Sequence, residues 1–146
     1  MRRGAIHHVK VRQLSVFIEN KAGRVSEVTA TLGAAGVNIR GFSVADTADY
    51  GILRLIVDNP EKAKNAIKTG GFTVRETDVI CIYLEDVPGS LARVLKVVAD
   101  AGVNIEYLYS LVSTYVVLNV SDADAAVAQL EGMPVRLISQ EEIASV

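Results

Sequence analysis

The stretch from Phe17 to Ile39, FIENKAGRVSEVTATLGAAGVNI, returns 66 positions later as Tyr83 to Ile105, YLEDVPGSLARVLKVVADAGVNI. Eight of these 23 positions are identical at that offset: Glu19/Glu85, Gly23/Gly89, Val28/Val94, Ala35/Ala101, Gly36/Gly102, Val37/Val103, Asn38/Asn104 and Ile39/Ile105. Average residue usage predicts roughly one or two. The chain of 146 residues is therefore one unit written twice. A unit of roughly 70 residues buries only about 60% of its unfolded surface. Each copy is expected to lean on its twin or on a second chain, so the duplication predicts a fused pair that associates as a homodimer.

Hydrophobic periodicity gives the order of elements within a copy. Leu14, Val16 and Ile18 alternate with Ser15 and Glu19 as in a half-buried strand. Val25, Val28 and Leu32 share one face of a helix that starts near Arg24, and Gly36 suits the left-handed position that ends it. Two further strands, a helix opened by Asn59-Pro60 and a last strand from Phe72 complete the unit. The second copy repeats the plan with its hairpin shortened, Val57 aligning with Val120 at an offset of 63. The expected class is α+β: two ferredoxin-like βαββαβ units, each an antiparallel sheet with both helices on one face. The boundaries predicted are a flexible segment 1–10, a first unit 11–78 and a second unit 79–146, with no linker between the units. The runs from Ile52 to Val57 and from Val79 to Leu84 are almost continuously apolar, as in strands buried on both faces. The helix-free face is accordingly expected to be covered, most simply by the same face of a partner subunit.

Composition closes off several functions. Fifteen basic and 17 acidic residues leave no basic field for nucleic acid. No apolar run approaches the ~18 residues of a membrane span, and the N-terminal residues lack the apolar core of a signal peptide, so a cytoplasmic location is the default expectation. The only histidines, His7 and His8, are adjacent near the N-terminus, away from any buried nucleophile. Cys81 lies mid-strand among aliphatic residues and reads as a core thiol. No cofactor or metal signature is present, and the chain reads as non-enzymatic.

What the copies do share is a polar turn leading from strand to helix, Asn20-Lys21-Ala22-Gly23-Arg24-Val25 and Asp86-Val87-Pro88-Gly89-Ser90-Leu91. The first turn of a helix has free N–H groups and the positive end of the dipole, which suit a carboxylate. Glycine lets a ligand approach the backbone, and Pro88 is expected at the first helical position. The competing reading is local, since Asn20 and Asp86 could each cap their own helix. Asn38 and Asn104 are the second shared polar pair, expected beside the turn, and an asparagine can both donate to a carboxylate and accept from an ammonium.

The pattern D-x-P-G-x-L, an amphipathic helix and then G-V-N-I, on a βαββαβ unit, resembles the ACT domain, a regulatory module that commonly recognises amino acids. The likeness spans residues 12–140 and is similar to stand-alone tandem ACT proteins. It implies that the ligand meets the turn and the GVN asparagine, usually at an interface between two ACT units. Carried over, it implicates Asn20, Gly23, Val25, Asn38 and Ile39 in copy one, and Asp86, Gly89, Leu91, Asn104 and Ile105 in copy two. Copy one departs from the pattern, with Ala22 in place of the proline and with Lys21 and Arg24 adding positive charge. Tyr107, Tyr109 and Tyr115 stand on strands near the second site, as ordinary packing or as an aromatic wall. The expected function is binding of an amino acid or related acid, which regulates a separate target enzyme by stabilising one packing of ACT units. The alternative is an interaction subunit with no ligand of its own.

Overall fold

A computed structural model describes residues 9–19, 21–46, 49–112, 114–133 and 135–145. The elements run β1 (Lys10–Glu19), α1 (Arg24–Ala34), β2 (Ile39–Asp46), β3 (Tyr50–Val57), α2 (Pro60–Thr69), β4 (Thr73–Tyr83), α3 (Ser90–Asp100), β5 (Ile105–Ser110), β6 (Tyr115–Val120), α4 (Ala123–Glu131), β7 (Arg136–Ile138) and α5 (Gln140–Ile143). The chain divides into two compact units, residues 12–77 with 143–145, and residues 78–142 with 9–11. Each is a βαββαβ unit, the ferredoxin-like α+β fold. The two segments predicted to either side of residue 78 form one uninterrupted strand, β4.

In the first unit the strand order is β2-β3-β1-β4. Leu14, Val16 and Ile18 of β1 and Leu53, Leu55 and Val57 of β3 point to one side, where they meet Val28 and Leu32 of α1 and Ala63 and Ile67 of α2. The second unit has the order β5-β6-β4, with β7 also on β4. Ile80, Ile82, Val116 and Leu118 pack there against Val94 and Val98 of α3 and Ala126, Val127 and Leu130 of α4. Each fully buried aliphatic side chain contributes about 1.5–3 kcal/mol. These two cores therefore hold the helices on their sheets.

The helix ends follow from named residues. Asn59 caps α2, its side-chain oxygen accepting from the Lys62 N–H at 3.2 Å, with Pro60 at the first helical position. Asp122 caps α4 through the Ala125 N–H at 3.1 Å. At the ends of α1 and α3 the shared Gly-Val pair forms the same stop twice. Gly36 and Gly102 take φ of 76° and 75°, and Val37 and Val103 return their N–H groups to Leu32 and Val98 while burying their side chains.

Two expectations change. Ile56, Cys81 and Val117 face away from the helices yet are already buried within the single chain, so a partner subunit is not needed to cover them. The N-terminal segment is anchored at its end: Val9 packs against the second core and Lys10 pairs with Asp124 at 2.7 Å. His7 and His8 lie outside the described residues.

Candidate functional site

Both shared turns are built the same way. The Arg24 N–H bonds to the Lys21 carbonyl at 3.3 Å, and the Ser90 N–H to the Val87 carbonyl at 3.3 Å. Gly23 and Gly89 between them have φ of 86° and 85° with ψ near zero. Pro88 fixes a negative φ at the second position, so with Gly89 at those angles the turn of copy two is type II, which favours glycine at its third position, and Gly23 repeats the angles in copy one. The glycine is thus set by the turn itself. It also ends the turn as the N-cap of the helix, so Pro88 stands outside the helix at the second turn position, not at the first helical one. Asp86 does not cap α3 either, because the helix starts only at Ser90. Asn20 lies outside the described residues.

A glycine N-cap has no side chain with which to satisfy the first turn. Among the described residues nothing accepts from the N–H groups of Leu91 and Ala92, nor from those of Val25 and Ser26. A Cβ at Gly23 would meet nothing within 4 Å, so the approach to that backbone is open. The cations of copy one are already paired: Lys21 with Glu19 at 2.8 Å, and Arg24 with Glu27 at 2.8 Å. The Lys21 ammonium, aided by Arg24, holds the Glu19 carboxyl below its ordinary range. In copy two Asp86 is exposed and makes no ion pair among the described residues.

The shared asparagines are held by their backbones. The Asn38 N–H donates to Asp58 Oδ1 at 2.9 Å and the Asp58 N–H returns to the Asn38 carbonyl at 3.1 Å. Asn104 has the same pair of bonds with Ser121, at 3.0 and 2.9 Å. Both amide side chains are exposed and without a partner among the described residues. One residue after the shared Ile, at Arg40 and at Glu106, each copy also carries a bulge in register that sequence comparison passed over.

The asparagines do not stand beside the turns. Glu19, next to the first turn, pairs with Tyr50 at the start of β3, whereas Ile39, next to Asn38, pairs with Val57 at its end. An 11-residue helix lies between them and carries the chain about 16 Å to the opposite end of the sheet. What the structure does bring together is Val25 and Ile39, in a groove of about 250 Å³ with Phe42 and Val44. In copy two Asp86 and Leu91 share a groove of about 340 Å³ with Leu108, Ser110 and Tyr115. Gly23, Gly89, Asn38, Asn104 and Ile105 line neither groove. Tyr107 accepts from Asn119 at 2.7 Å and stacks on Tyr109, so these two rings are packing residues. Tyr115 packs edge-on to Tyr83 and also lines the groove.

Cys81 is fully buried, and burial pushes its thiol up to about 12. It holds its proton at neutral pH, which removes it as a nucleophile. No cluster of three metal-ligating side chains occurs among the described residues, and none of their helices is long and apolar enough to cross a membrane.

A family model described as an ACT domain pair matches residues 9–136. A crystallised protein from Bacteroides thetaiotaomicron is 39% identical, covering 94% of this chain and 98% of its own, with a TM-score of 0.89. The ligand-free regulatory subunit of aspartate kinase from Thermus thermophilus shares the fold at 18% identity, covering 84% of this chain and 89% of its own, with a TM-score of 0.63. The corresponding subunit from Thermus flavus does so at 17%, covering 83% and 90%, with a TM-score of 0.58. No protein of curated function matches the chain.

Proposed function

Because the chain belongs to the ACT family as a tandem domain pair, a regulatory module, we propose that it is a non-catalytic sensor of an amino acid or a related small acid. The observation that carries this reading is the paired Asn38 and Asn104. Their backbones are fixed by the fold, while their exposed amides serve no partner among the described residues. The second support is the uncapped first turn after Gly23 and Gly89, whose N–H groups suit a carboxylate. A molecule of amino-acid size cannot reach across the ~16 Å of an 11-residue helix. Joint recognition therefore requires the turn of one ACT unit and the asparagine of another, and the ligand acts by its preference for that packing.

The site we propose comprises Asn20, Gly23, Val25, Asn38 and Ile39, and Asp86, Gly89, Leu91, Asn104 and Ile105. The pairing of Lys21 and Arg24 within copy one leaves the second turn as the more available of the two. Assembly as a homodimer is supported by the edge strand β2, where Phe42 is 66% and Val44 51% exposed on the side of the core. The regulated target is a separate enzyme, and the site of action is the cytoplasm.

The test is a thermal-shift screen against the amino acids and several 2-oxo and aryl acids at millimolar concentration. A ligand at about 100 times its dissociation constant adds roughly 2.7 kcal/mol, which raises the midpoint by several degrees. Asn104→Ala keeps the backbone bonds to Ser121 and should abolish the shift. Stabilisation unchanged in that variant, or absent with every compound, leaves the interaction subunit as the better reading, for which the exposed Phe42 edge is the supporting observation.

A further inference from the structure

The second unit contains a cavity of about 270 Å³ on the β7 side of the start of α3. Its polar lining is Glu85, Ser90, Arg93 and Arg136, and its apolar wall includes Val94, Met133 and Val135. Arg136 is held by Glu142 at 2.7 Å. Arg93 makes no ion pair among the described residues, and its Nη1 lies 3.3 Å from where a Cβ on Gly89 would stand. The absence of a side chain at Gly89 thus leaves room for the guanidinium.

The duplication supplies an internal control. At the offset of 66 Ser90 corresponds to Arg24 and Arg93 to Glu27; at the offset of 63 that follows the shorter hairpin, Val135 corresponds to Phe72 and Arg136 to Thr73. In the first unit this place is occupied by the chain itself. The Arg24 guanidinium lies 5.3 Å from the centre of the Phe72 ring and is held by Glu27 at 2.8 Å and Glu19 at 3.7 Å. In the second unit the plug has become a hydroxyl and a valine. The carboxylate of Glu27 has become the unpaired guanidinium of Arg93, and the acid at Glu19 is kept as Glu85.

We infer that this cavity is a second ligand site, specific to the second unit, for a small carboxylic acid with an apolar body. The carboxylate occupies the place beside Arg93 and the Ser90 hydroxyl, where a guanidinium offers two parallel donors. The body lies against Val94, Met133 and Val135. Glu85 at the rim accepts from any amine or hydroxyl the acid carries. The volume is below the roughly 300–1,000 Å³ of drug-sized sites, which suits an acid of metabolite size. The site borders the groove at the turn, sharing Leu84, Glu85 and Ser90 with it, but uses none of the side chains of Asp86, Leu91 or Asn104. Arg93 and Arg136, which line this cavity and not the groove, tell it apart from the function proposed above.

The experiment is a titration of the ¹⁵N-labelled full chain with 4-methylpentanoate and, in parallel, with the neutral 4-methylpentanamide. The acid should move the amide signals of Ser90, Arg93 and Arg136, and the amide should bind at least about tenfold more weakly. Arg93→Gln should weaken the acid by about tenfold, with Arg93→Lys intermediate. Ser90→Arg combined with Arg93→Glu, which restores the arginine and the carboxylate of the first unit, should abolish binding while leaving the first unit's signals in place. Equal binding of acid and amide, unchanged affinity in Arg93→Gln, or no movement of these signals with either compound would overturn the inference. Movement confined to Leu91 and Asn104 would overturn it too, while supporting the site proposed at the turn.

Discussion

Replacing Gly23 and Gly33 by alanine, one at a time, separates the two roles glycine has in this chain. Both sites have open space where the Cβ would go, with no atom within 4 Å, so neither substitution acts through a clash. Gly33 is inside α1, where alanine is favoured over glycine by about 0.5–1 kcal/mol. Gly23 has φ of 86°, where an L side chain costs about 1–2 kcal/mol, offset by about 0.4–1 kcal/mol from the reduced freedom of the unfolded chain. Gly33→Ala should therefore stabilise, and Gly23→Ala should destabilise by about 1 kcal/mol. For a chain of this size each corresponds to a shift of about 2–4 °C in Tm, in opposite directions. Calorimetry and urea unfolding followed by circular dichroism read both. Gly23→Asn should fall between wild type and Gly23→Ala, since asparagine tolerates the left-handed region. If Gly23→Ala stabilises as Gly33→Ala does, the type II turn and the open first helical turn that depends on it are wrong.

Cys81, its thiol raised from 9.0 to about 12 by burial, should react with an aromatic disulfide at pH 8 only when urea unfolds the chain. Its contribution to stability is complete below about pH 9 and is lost as pH rises toward 12; rapid reaction of the native protein would contradict this. The Arg12 guanidinium holds the Glu76 carboxyl below its ordinary range. The stability from that contact is present above the unfolded carboxyl's pKa and is lost on acidification. Glu76→Gln should lose about 1 kcal/mol or less at pH 7, since Arg12 is more than a third exposed, and its urea midpoint should converge with the wild-type value as pH falls below 4.5.

Most of what depends on neighbours within a few residues was legible in the sequence; the exception is the turn before α3, where glycine rather than Asp86 is the N-cap and Pro88 stands outside the helix. The period of Leu14, Val16 and Ile18 against that of Val25, Val28 and Leu32 specified strand and helix. The Gly-Val pairs at residues 36–37 and 102–103 specified where the helices stop, and Asn59-Pro60 where one begins. These features act through local hydrogen bonds and through burial on one face, so their spacing alone records them. Tertiary structure decided the rest. A helix reverses the chain, which puts Asn38 at the far end of the sheet from the turn, although only 14 residues separate Asn38 from Arg24. Arg93 and Arg136 line one cavity although 43 residues separate them. Neither lies at a position where the copies agree, so a search for shared residues passes over both. What marks them is difference: two copies of one fold share their backbone course, so a position where one copy fills a space and the other leaves it open becomes visible only once both are folded.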